Sequence, residues 1–193
     1  MPSPTPAQRL PFTGDDEADR LLVDEPFALL VGFVLDQQVP LQKAFSGPLE
    51  LRRRIGRLDA PTIAATDPDR LDEVFRERPA LHRFPGNMAR RTQDLAKFLV
   101  ERYDGDAARV WTEARDGADL KRRLEELPGF GPMKVGTMVA ILGKRLGVQP
   151  AGWEQYAPGH MTLGDVDSAE TLARYQQGKR AMKAAMRAEG KRV

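Results

Sequence analysis

The residues with the most chemical promise stand together at Leu127-Pro128-Gly129-Phe130-Gly131-Pro132-Met133-Lys134. Glycine lets a backbone turn left-handed or approach a neighbour closely at little steric cost. Two glycines at spacing two, with helix-compatible sequence on both sides, describe a tight helix-to-helix turn. Pro128 ends the first helix, because its ring removes a donor and restricts the residue before it. Pro132 suits the first turn of the second helix, where no amide partner is lost. The turn leaves the amides of Gly129 and Gly131, and the first amides of the following helix, pointing outward. A phosphate is held well by such N–H groups, and Lys134 is placed to add a positive charge. An ordinary helical hairpin without a ligand is the other reading. A second chemical signal is Gln37-Gln38, which abuts the apolar run Phe27 to Leu35. Buried amides need partners, and a glutamine carries donor and acceptor on one side chain, as reading a base requires. A polar helix end meeting solvent is the alternative.

These residues need elements to hold them. The spacing predicts a short helix over 15–23 with an acidic first turn, favourable for the helix dipole. A helix from Pro26 to Leu35 is apolar nearly all round and is therefore buried. Leu41 to Ile55 follows, with an interruption expected at Ser46-Gly47-Pro48. Further helices are expected at 59–65, from the cap Asp67 through Phe75, at 88–103 and at 111–126. The helix after the glycine turn spans 133–146. An irregular stretch, 148–164, carries Trp153, Tyr156 and His160, and a loop that long in a helical protein is usually functional. A last helix opens at 165–170 and runs to about Arg187, with Asp167 and Glu170 at the spacing of a capping box. It carries Arg174, Lys179, Arg180, Lys183 and Arg187. The first 14 residues read as an extended, partly disordered arm, with Leu10 and Phe12 tucked onto the body. No strand patterning appears, so the expected class is all-α.

Composition narrows the chemistry. The chain has 193 residues, 41% hydrophobic and 30% charged, enough for a sizeable core. It has no cysteine, which excludes disulfides, thiolate zinc sites and iron–sulfur clusters. Two histidines, His82 and His160, argue against a histidine-based metal site. No apolar run approaches a membrane span and no leader pattern opens the chain, so a cytoplasmic protein without membrane contact is expected. The net charge is +2, yet the sequence isoelectric point is near 9.0. Basic residues concentrate at 174–192, which suggests a nucleic-acid or membrane-surface partner, or a solvated helix face.

Leu127-Pro128-Gly129-Phe130-Gly131 resembles the L-P-G-[VI]-G helix-hairpin-helix motif of DNA repair proteins, with Phe130 the larger apolar residue. Val34-Leu35-Asp36-Gln37-Gln38-Val39 resembles the I-L-x-Q-Q-[VI] segment of helix-hairpin-helix glycosylases such as 3-methyladenine DNA glycosylase II. Leu81 to Ala89, with the helix behind it, is a looser match to a G-[FY]-x-x-x-K-A segment, with Met88 where lysine is usual. Gly147 to Trp153 resembles an uncharacterised bacterial branch. Together these residues are similar to the helix-hairpin-helix-GPD superfamily of base-excision DNA glycosylases, over roughly 26–172.

The resemblance implies two helical lobes around a cleft: one of about 15–35 plus 147–193, the other about 36–146. It implies a nucleoid-associated monomer bound to double-stranded DNA through Gly129, Phe130, Gly131, Met133, Lys134, Gln37 and Gln38, with Gln38 filling the gap left by a flipped nucleotide. No cofactor is implied beyond a monovalent cation on the carbonyls of Glu125, Leu127 and Phe130. A base must leave the stack to expose its glycosidic bond. A carboxylate then stabilises the cation-like sugar. The superfamily acid lies about twenty residues past the second glycine in a V-D-T-type sequence, as a motif-level expectation. Val166-Asp167-Ser168 resembles that sequence but lies 36 residues past Gly131. Asp167 is thus the first candidate, with Asp165 close behind and Glu154 third; for Asp167 a plain helix cap is the alternative. The lyase lysine of relatives falls at Met133, which points to a monofunctional enzyme, with Met133 lining the base pocket or packing in the core. Trp153 and Tyr156 are the expected base-stacking aromatics, while Phe27 and Phe84 read as core. A non-catalytic DNA-binding protein that recognises damaged or distorted DNA is the alternative function.

Overall fold

The computed structural model describes residues 5–191, and every regular element within them is helical. The order is α1 (Asp16–Asp24), α2 (Pro26–Leu35), α3 (Leu41–Ile55), α4 (Ala60–Ala65), α5 (Pro68–Arg76), α6 (Pro85–Tyr103), α7 (Arg109–Thr112), α8 (Gly117–Glu125), α9 (Pro132–Lys144) and α10 (Ala169–Ala188). Two 3-10 turns, Trp153–Tyr156 and Leu163–Asp165, stand between α9 and α10.

Four helix starts follow one local rule. An aspartate accepts hydrogen bonds from the first free amides: Asp15 before α1, Asp59 before α4, Asp67 before α5 and Asp116 before α8. Proline takes the first turn of α2, α4, α5, α6 and α9, where its missing donor costs nothing.

Helix α2 is the spine, because all its residues from Phe27 to Leu35 are buried. It packs on α1, α3 and α6, while α6 also covers α4 and α5. Further along the chain, α9 packs on α8 and on both 3-10 turns. Two contacts tie this second assembly to the spine: the rings of Phe33 and Phe130 lie 5.8 Å apart, and the Lys134 ammonium donates to the Phe33 carbonyl at 2.5 Å.

Several elements depart from expectation, each for a local reason. α3 runs unbroken past Ser46-Gly47-Pro48, with the Leu35 side chain packed directly against Gly47. α6 starts at Pro85, three residues before Met88. The single helix expected over 111–126 is two, because Asp116 turns its side chain to the Asp119 amide and the Gly117 amide donates to the Ala151 carbonyl. α10 is capped by Ser168, not Asp167. The Ser168 hydroxyl accepts from the Thr171 amide and the Thr171 hydroxyl accepts from the Ser168 amide, so the capping box is Ser168/Thr171, not Asp167/Glu170. Leu10 and Phe12 are fully buried, so the arm is anchored there; its residues 1–4 lie outside the described residues.

Candidate nucleic-acid interface and pocket

The α8–α9 turn is built as its glycines suggest. The Phe130 amide donates to the Leu127 carbonyl at 3.1 Å, closing a tight turn. Gly129 sits at φ +84°, a left-handed backbone that costs an ordinary residue about 1–2 kcal/mol. A Cβ at either Gly129 or Gly131 would meet nothing within 4 Å, so the outer side of the turn is open. No backbone carbonyl among the described residues accepts from the amides of Gly129, Gly131, Met133 or Lys134. These donors meet the requirements of an anion site. On the inner side Phe130 is buried against Phe33, which anchors the turn to the spine. The Leu127 carbonyl is engaged by the Phe130 amide, while those of Glu125 and Phe130 accept no backbone hydrogen bond among the described residues.

Lys134 does not extend toward the open amides. Its ammonium turns inward to the Phe33 carbonyl and lies 6.0 Å from the Phe130 ring centroid. Burial pushes its pKa down, against the pull of the Asp36 charge.

Beside the turn lies a pocket of about 380 Å³, within the range of small-molecule sites. Met133, Lys134 and Thr137 of α9 form one wall. Asp36 to Pro40 forms a second, except Gln37, and Tyr175, Lys179 and Lys183 of α10 form the third. Met133 is 81% exposed, so it lines the pocket and is not core. Lys179 stacks on the Tyr175 ring at 5.5 Å. Burial, and then the charge of Asp36, push the Tyr175 hydroxyl up to about 12.

The Asp36–Pro40 wall has an unusual construction. His82 is fully buried, and its Nε2–H is shared between the carbonyls of Leu35 at 3.1 Å and Gln37 at 2.9 Å. Its Nδ1 accepts from the Phe84 amide at 3.0 Å, which assigns the neutral Nε2–H tautomer. Burial lowers the pKa of this imidazole, against the two carbonyl contacts that favour its charged form. Gln37 is consumed internally: its amide nitrogen donates to the Val34 carbonyl at 3.1 Å and its oxygen accepts from Arg91 at 2.8 Å. Gln38 is exposed and held at φ 55°, a strained conformation for a residue with a side chain. Asp36 ends α2, half-buried in the pocket wall, and its carboxyl accepts no hydrogen bond and forms no ion pair among the described residues. Burial raises its pKa, opposed by the charges of Lys179, Lys134 and Lys183.

The carboxylates singled out by resemblance lie elsewhere. Asp167 lines a separate recess with Arg9, Pro11 and Leu172, and its carboxyl accepts from the Thr171 hydroxyl at 2.9 Å. That bond, then one to Ser168, holds its pKa below the usual carboxylate range. Asp165 is bound on both oxygens, by Lys144 at 2.5 Å and by the Thr162 amide at 2.8 Å. Burial works to raise its pKa, but these partners outweigh it and the net shift is downward. Glu154 is exposed on the first 3-10 turn and lines no part of the pocket. Of the expected stacking aromatics, Trp153 is buried with its ring on Gly143, where an added Cβ would lie 2.2 Å from the ring; it is core. Tyr156 is half-buried beside Gly136, also outside the pocket lining. Phe27 is core as expected, but Phe84 is 41% exposed under the guanidinium of Arg83.

Three residues that shape the site were missed: His82, Asp36 and Tyr175. His82 bonds across 45 and 47 positions, so no local pattern marks it. Asp36 did carry a signal, since an acid at the end of an apolar helix sits against the negative end of its dipole. Among the described residues no group of three or more His, Asp or Glu is arranged for a metal ion, and no helix is long and apolar enough to cross a membrane. Comparison of the chain with protein-family models, with curated proteins and with solved structures gave no match.

Proposed function

We propose that the chain binds double-stranded DNA through the α8–α9 turn and acts there as a monofunctional base-excision glycosylase. The observation that carries the reading is the open turn, with four unpartnered amides, beside a pocket walled by lysines. The amides of Gly129 and Gly131 take one backbone phosphate. Lys179 and Lys183 meet neighbouring phosphates, while the pocket receives a nucleotide turned out of the stack. Gln38, exposed on the pocket rim, fills the space the nucleotide leaves. Met133 stands where a Schiff-base amine would be needed, which supports hydrolysis without strand cleavage.

A second reading is favoured by a specific observation: Glu154, Asp165 and Asp167 all lie outside the pocket lining. In that reading the chain recognises damaged or distorted DNA without cutting a bond.

Duplexes each carrying one lesion separate the two, with product scored before and after alkali. Excision leaves an intact strand that breaks only on alkali treatment. The non-catalytic reading expects tighter binding to one of the lesion duplexes and no abasic product. The double variant Lys179→Ala/Lys183→Ala should flatten the salt dependence of binding by roughly two units of log–log slope, about one per phosphate contact. An unchanged slope removes α10 from the interface.

A further inference from the structure

We infer that Asp36 is the catalytic carboxylate, facing the sugar cation formed as the base departs; this rests on the glycosylase reading above. Asp36 is the acid in the lining of the pocket beside the turn. Its placement is costly in three ways. It ends α2, where the helix dipole repels a negative charge. It is half-buried. Its carboxyl accepts no hydrogen bond and makes no ion pair among the described residues, although three lysines line the same pocket. Structural carboxylates in this chain look different: Asp19 accepts from the Phe12 and Thr13 amides and the Thr13 hydroxyl, and Asp119 gathers Arg115, Arg122 and Arg123. A carboxyl left without partners at the wall of a pocket is free to meet a ligand.

The surroundings hold it in place. His82 fixes the carbonyls on either side of Asp36, those of Leu35 and Gln37, from inside the core. Gln37 is tied back to Val34 and to Arg91. The carboxyl is therefore presented from a connection whose backbone is pinned on both sides of it, as a catalytic group requires.

The chemistry balances with this one carboxylate. The C1′–N bond breaks and its electron pair leaves with the base nitrogen. The sugar becomes cationic opposite the Asp36 carboxylate, which lowers the energy of that state. Water adds its oxygen to C1′, and Asp36 takes the proton the water loses. That proton passes to the departed base, so the products are the free base and an abasic sugar bearing a hydroxyl. The lysines serve differently. The Lys134 ammonium is committed to the Phe33 carbonyl, while Lys179 and Lys183 meet phosphates.

The test avoids the unknown lesion. Two duplexes are compared, one with a cationic pyrrolidine at the abasic position, the other with neutral tetrahydrofuran. The wild-type chain should bind the cationic duplex more tightly by at least tenfold, and Asp36→Asn should abolish that preference while binding the neutral duplex as the wild type does. Lowering the pH below the pKa of Asp36 should erase the preference in the wild type. A preference that survives Asp36→Asn, or that vanishes in Asp167→Asn instead, overturns the assignment. If neither modified duplex is bound more tightly than an undamaged one, the glycosylase reading itself fails, and this inference with it. A circular dichroism spectrum of each variant guards against loss of fold.

Discussion

Two connections flank the pocket, and they solve opposite problems. The α8–α9 turn leaves the amides of Gly129 and Gly131 without backbone partners among the described residues and buries the side chain of Phe130. The α2–α3 connection does the reverse. Its backbone is pinned by His82 from the core, while the side chains of Asp36 and Gln38 are left without partners among the described residues. A ligand reaching both would find donors from the first and an acceptor from the second. An anion and a cation bound there would thus meet different kinds of group. Backbone amides suit a phosphate because they need no counter-charge of their own. Only a side chain can supply the negative charge a sugar cation needs.

The largest effect should come from breaking the α2–α3 connection. His82→Ala empties a buried volume and strips two carbonyls and one amide of their partner, at about 2–4 kcal/mol of unfolding free energy in a denaturant titration. The pH dependence has a definite sign. His82 has its folded pKa below the usual 6.5, so the unfolded chain binds the extra proton first. Stability is full above pH 6.5 and falls as the pH drops through the range below it. Protonation places a second N–H at Nδ1, where the Phe84 amide donates. Loss of the acid limb in His82→Gln would confirm the source, and an unaltered limb would assign it to another group.

A smaller effect should follow from the other connection. Gly129→Ala forces a side chain into a left-handed backbone and should cost about 1–2 kcal/mol. Gly131→Ala should cost less, since Gly131 has φ −84° and its Cβ would meet nothing. Equal costs would mean that the turn relaxes and that its open amides are not fixed.

The smallest effect should be a gain. Asp36→Asn removes a charge from the negative end of α2 and should stabilise the fold by about 0.5–1 kcal/mol at neutral pH. The sign follows from its raised folded pKa. The unfavourable term is present at neutral pH and disappears as the pH falls toward and below 3.8, where both states are protonated. The gain of Asp36→Asn should therefore vanish in acid. A loss of stability on this substitution would mean that Asp36 has a partner in solution.

The same contrast explains what could be read from the sequence. The α8–α9 turn was legible because everything it needs is local: prolines fix the helix ends, and glycines fix the backbone between them. Helix class was legible for the same reason, from apolar runs and Asp-Pro starts. The end of α2 was not, because it depends on His82, 45 positions away. Trp153 read as a pocket aromatic in an irregular loop, but its environment is set by Gly143 on α9. Asp167 looked like part of a capping motif, and its one-residue displacement by Ser168 follows from a hydroxyl pair at Ser168 and Thr171. Side chains whose partners are close in sequence can be placed by spacing; those served from another helix cannot.

Helix α10 buries one residue of its twenty, Leu172. Gln176 donates to Gln42 at 3.0 Å, while the helix beyond it is mostly exposed. Local opening of such a segment costs far less than global unfolding. Its amides beyond Tyr175 should therefore lose protection against deuterium first, well before those of α2. The third wall of the pocket is consequently the least anchored of the three.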